Sequence, residues 1–92
     1  MSKMQNDLES LIAFRSHLQQ FNRTLVDEFA SMREHWQNLG DVWTDVKYQE
    51  FGQALQEAAN GIQHYMQSTA DHEESLLRTI RILEEYLGNR MG

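Results

Sequence analysis

LGDVWTDVKYQEF, residues 39–51, is the one stretch of the chain where a helical pattern stops, and it stops on a tryptophan. Upstream of it Met4, Leu11, Leu18, Leu25, Met32 and Leu39 recur every seven residues, with Leu8, Phe14, Phe21, Phe29 and Trp36 at neighbouring positions. That repeat predicts one long amphipathic helix. The apolar companion drifts from three residues after each heptad position (Phe14, Phe21) to four (Phe29, Trp36), so the apolar face is wider than a two-helix seam and can touch two neighbours. The helix is expected over about 2–38, ending at NLGD, where Gly40 suits the left-handed position after a helix C-terminus.

Downstream the pattern resumes with Tyr48, Phe51, Leu55, Ala58, Ile62, Tyr65, Met66, Leu76, Ile80, Leu83 and Leu87. A second helix of similar length is expected over about 45–87, after a turn at 39–44, with Asp45 as its N-cap because a carboxylate accepts from the free N–H groups of a first turn. Around ALQEAANGIQ the small residues Ala54, Ala58, Ala59 and Gly61 replace large ones, which points to close packing against a bulky neighbour, the favoured reason, or to a local bend. Thr69, Asp71, His72 and Glu73 interrupt the apolar pattern. If residue i lies beside residue 84 − i or so, they stand opposite Arg15, as a polar layer that fixes register more than it stabilises.

There is no strand signal, and a tight reversal joins two helices of equal length. The chain therefore reads as a single all-α domain over 1–92, an antiparallel helical hairpin. Two helices leave the outer part of a wide apolar face in water, so a dimer is expected, a four-helix bundle made with a second copy or a sister hairpin. Leu11, Leu18, Leu25, Phe29, Met32, Trp36, Leu55, Ile62, Leu76 and Leu83 are the expected core of hairpin and bundle.

Composition excludes several classes of function. Eight Lys and Arg against fourteen Asp and Glu give a net charge of −6 with no basic cluster, which argues against nucleic acid as a partner. The acidity is uneven, with four basic and five acidic residues in 1–40 but four and nine in 41–92. No apolar run approaches the ~20 residues that span a bilayer, and no membrane insertion is expected. MSKMQNDLES lacks the apolar core of an export signal, so an exported chain would need another route. With zero cysteines there is no disulfide framework, thiol nucleophile or thiolate metal site.

Nor does any constellation of residues point to chemistry. His17, His35, His64 and His72 have no second ligand at the three- or four-residue spacing that aims two side chains at one metal, and no Glu-x-x-His occurs. The carboxylate pairs Glu73–Glu74 and Glu84–Glu85 lie on regular helical faces, with no nucleophile set beside a base. No catalytic, cofactor-binding or metal-binding residue is assigned. The five methionines read as core filling or adaptable partner surface.

The reversal then carries a resemblance. Trp43, with the second helix starting two residues later and Phe51 eight positions on, resembles the WXG family of small helical hairpins exported by type VII secretion systems, with Trp43-Thr44-Asp45 in place of Trp-x-Gly. The resemblance covers the whole chain in length and layout. It implies a non-enzymatic secreted substrate or carrier-like partner, with a secretion ATPase or a larger effector as possible contacts, and export without a cleaved signal peptide. It makes Trp43, Asp45 and Phe51 part of a surface presented to the machinery. The strict Tyr-x-x-x-acid tail motif of that family is absent, since Thr69 follows Tyr65 and Arg90 follows Tyr86 at that spacing. A looser apolar-acid-apolar-apolar pattern fits Ile80, Glu84, Leu87 and Met91. The alternative is an adaptor or scaffold of the cytoplasm that uses the same hairpin and is not exported.

Overall fold

The structure, a computed structural model, describes residues 2–91, with side chains described as far as 88. It is all-α: helix α1, Lys3–Leu39, and helix α2, Val46–Met91, pack antiparallel in a hairpin. The turn occupies 40–45, and α2 runs on past residue 87. The hairpin divides into two compact units, Asn22–Gln67 around the turn, and Met1–Phe21 with Ser68–Gly92.

In the turn unit the covered positions fall at intervals of three and four, or a full seven between Phe29 and Trp36, with Tyr65 covered as well beside Met66. On α1 they are Asn22, Leu25, Phe29 and Trp36, and on α2 Tyr48, Gly52, Leu55, Ala59, Ile62 and Met66. That is the spacing of a coiled-coil seam, in which side chains of one helix drop between those of the other. At its end nearest the turn, the rings of Trp36 and Tyr48 stack at 4.5 Å and 9°. The Trp36 indole Nε1 donates to the Tyr48 carbonyl at 3.2 Å, and the Tyr48 hydroxyl donates to the Trp36 carbonyl at 2.9 Å. These reciprocal bonds fix both the rotation and the height of one helix against the other. Farther along, the Tyr65 hydroxyl donates to Asn22 Oδ1 at 2.7 Å. Tyr65 lies three residues beyond the position that a simple fold-back about residue 42 pairs with Asn22, because a helical side chain leans toward its own N-terminus and the phenol reaches back.

In the other unit Met4, Leu8, Leu11, Arg15 and Leu18 of α1 and Thr69, Glu73, Leu76, Ile80, Leu83 and Leu87 of α2 form the same kind of seam. Ile80 and Thr69 are its buried members. Arg15 occupies a seam position, half-buried, and its Nε is buried without a hydrogen-bond partner. Phe14 and Phe21, each 58% exposed, stand outside that seam. The interval of four is the one α2 packs against, so the polar Arg15 and Asn22 go in and the aromatic Phe14 and Phe21 stay out.

Two glycines act otherwise than the sequence predicts. No glycine among the described residues has positive φ, so Gly40 is not a left-handed cap. Its N–H instead donates to the Gln37 carbonyl at 3.1 Å, and a Cβ there would stand 2.7 Å from the Tyr48 hydroxyl. The close approach of that phenol is what requires glycine. A Cβ at Gly61 would meet nothing within 4 Å, so no neighbour within the chain uses the space it leaves.

The seams bury few side chains outright: among the described residues Asn22 in the turn unit, and Thr69 and Ile80 in the other. Among the described residues, no helix is long and apolar enough to cross a membrane.

Candidate docking surface

Asp45 starts α2 as an N-cap, its Oδ1 accepting from the Tyr48 N–H at 3.1 Å, three residues on. With that cap in place Tyr48 enters the helix oriented toward Trp36. The turn closes through the Trp43 N–H donating to the Leu39 carbonyl at 2.8 Å and the Val42 N–H donating to the same carbonyl at 3.0 Å. Trp43 is half-buried, its ring edge-on to Tyr48 at 5.5 Å and 63°. Val42, 82% exposed, is the tip of the hairpin. Three aromatics thus stand in series, Trp36 on Tyr48 face to face and Trp43 against Tyr48 at its edge. A Cβ on Gly52 would overlap the Trp36 ring, so that glycine is the recess into which the indole fits.

Beside this series lies an open groove of about 240 Å³ lined by Met32, His35, Trp36, Leu39, Trp43 and Phe51. Met32, Leu39 and Phe51 are exposed, at 51, 45 and 46%. Its lining is apolar and aromatic apart from His35, whose Nδ1 lies 2.7 Å from the Ser31 carbonyl. A ring nitrogen facing a carbonyl carries the proton, which leaves Nε2 as acceptor in the neutral form. The groove is suited to receive an apolar side chain from another molecule.

The structure therefore brings Trp43 and Phe51 together in one groove, with Asp45 positioning the helix behind them. The tail residues belong to the other unit and are deployed differently. Ile80 is buried and Leu87 half-buried in the seam against α1, while Glu84 is exposed. The side chain of Met91 lies outside the described residues. A receptor reading the apolar members of that pattern would have to compete with α1 for Ile80 and Leu87, and the heptad seam by itself accounts for their spacing. The Trp36–Tyr48 lock and the recess at Gly52 were not read from the sequence. Their signal was available: Gly52 falls on the three-and-four repeat through Tyr48 and Leu55, a position where glycine is otherwise unfavourable.

Among the described residues no group of three His, Cys, Asp or Glu is placed to hold a metal ion. No family model, curated protein or solved structure matches the chain.

Proposed function

We propose that this hairpin acts by docking rather than by catalysis, completing a four-helix bundle with a second helical hairpin, itself or a sister, as a WXG-like substrate or carrier partner of a type VII secretion-like system. The observation that carries the docking reading is the apolar groove at the turn, open to solvent, with Trp43 and Phe51 side by side. Exposed apolar side chains support it: Met32, Leu39, Val42 and Phe51 stand in water around the turn, and contiguous exposed apolar surface marks interaction sites.

The secretion context rests on the layout of the chain and on Trp43, Asp45 and Phe51. Asp45 takes the capping role that a glycine at the same place could also fill. A second reading, an adaptor that stays in the cell, is favoured by the covered Ile80 and Leu87, which leave the tail pattern little free surface.

Partition between culture supernatant and cell lysate in the native host tests the secretion reading, using the full chain and a version ending at Glu85. Export that is lost on truncation while the hairpin stays folded supports it. Retention of both, while the host exports a known substrate, overturns it and favours the adaptor reading.

A further inference from the structure

The turn unit has two unlike sides. Moving round α2 from the seam positions Tyr48, Leu55 and Ile62, the rows on one side hold Phe51, Ala58 and Tyr65, then Ala54 and Gly61; the rows on the other hold Gln49, Gln56 and Gln63, then Gln53, Asn60 and Gln67. In an antiparallel pair corresponding rows of the two helices fall on the same side. The groove shows this, Met32, His35 and Leu39 of α1 lining it with Phe51 of α2. Beyond the groove the same side continues over Ala54, Ala58 and Gly61, all exposed.

Charge frames this face. Asp27 on α1 and Glu50 and Glu57 on α2 run along its two outer edges, all exposed, while Glu28 and Lys47 lie on the face itself, Lys47 one heptad before Ala54; Glu34 stands on the other side, with Arg33 and Gln37. Arg23 and Arg33 are on the opposite side, and Lys47 is bridged to Glu50 at 3.4 Å. Within 22–67 there are seven carboxylates and three cations, a net of −4. On α2 the middle of the face carries only small residues, Ala54, Ala58 and Gly61, the last a helix-interior glycine that costs about 1 kcal/mol and at which an added Cβ would meet nothing within 4 Å.

We infer that the occupant of this face is a helix of a different protein, amphipathic, with large apolar side chains over Ala54, Ala58 and Gly61 and with lysine or arginine along its flanks. Small residues let the two backbones approach closely, and the acidic edges select the cationic flanks. A second copy would set carboxylate rows against carboxylate rows, the like-charge juxtaposition that excludes wrong partners. The inference rests on the docking reading above and names the chemistry of the partner.

The test titrates the full chain with two synthetic helical peptides that share one leucine- and phenylalanine-bearing face and differ only in their flanks, lysine and arginine in one, glutamate in the other. Binding is followed by tryptophan fluorescence, and the state of the chain alone by sedimentation. The expected result is a monomeric chain that binds the cationic peptide on the order of tenfold or more tighter at low salt, the ratio shrinking as salt screens the edges. Gly61→Gln, which does not lower the melting temperature, should weaken binding on the order of tenfold, and Glu50→Gln with Glu57→Gln should reduce the cationic preference. Equal binding of the two peptides, or indifference to Gly61→Gln, overturns the inference. Self-association abolished by Gly61→Gln overturns it too, in favour of a second copy, and leaves the docking reading standing. A monomer that binds neither peptide removes both.

Discussion

Gly52 and Trp36 carry the contact that orients the two helices, because the indole occupies the place where any other residue would put a Cβ. Gly52→Ala should therefore destabilise the hairpin by about 1–3 kcal/mol through overpacking, despite alanine's better helix propensity; a urea titration followed by circular dichroism measures the sign. Trp36→Ala removes the stack and the indole N–H bond to the Tyr48 carbonyl, leaving only the Trp36 carbonyl to accept from the Tyr48 hydroxyl, so about 3–5 kcal/mol is expected. Trp43, half-buried and touching Tyr48 edge-on, should cost only about 1–2 kcal/mol as Trp43→Ala. A melting loss for Trp43→Ala as large as that for Trp36→Ala would show the loop tryptophan to be chiefly structural. At Asp45 the cap predicts about 1 kcal/mol lost for Asp45→Ala and a few tenths for Asp45→Gly. The near-neutral glycine variant separates the fold from any effect on export, since it introduces Trp-x-Gly without disturbing the helix start. The capping role of Asp45 was legible from residue type alone. The demand for glycine at position 40 was legible too, but its cause was not, because the approaching Tyr48 hydroxyl comes from the other helix.

Each helix offers a repeating row of apolar residues with companions three or four positions on, and periodicity alone cannot say which companion row faces the partner helix. The Trp36–Tyr48 lock belongs to the four-residue row, and that row, with Arg15 and Asn22 in it, is the one found in the seam of each unit. Apolar character favoured Phe14 and Phe21 at the sequence level; the geometry of the seam leaves them in water. Asn22 with Tyr65 is then a polar contact that marks register. Tyr65→Phe should cost about 1–2 kcal/mol. Asn22→Leu should raise the denaturation midpoint yet broaden the amide signals and narrow their dispersion in an NMR spectrum, as an all-apolar seam tolerates slippage; sharp, fully dispersed spectra from that variant would remove the register role.

The chain is a helical hairpin in which each unit has its own seam between α1 and α2, and the turn unit leaves an apolar groove beside its seam open to solvent. The number of helices, their antiparallel pairing and the surplus of apolar surface followed from the heptads and the single break at 39–51. The groove itself did not, since Met32, Leu39, Trp43 and Phe51 converge only once the turn has set the rotation of α1 against α2. If docking at that groove is what the protein does, a photo-crosslinking amino acid placed at Phe51 should capture a polypeptide partner in living cells of the native host. The same group at Gln56, an exposed position on the opposite side of the same unit, should capture none. Crosslinks of equal yield at both positions, or at Gln56 alone, would contradict the account.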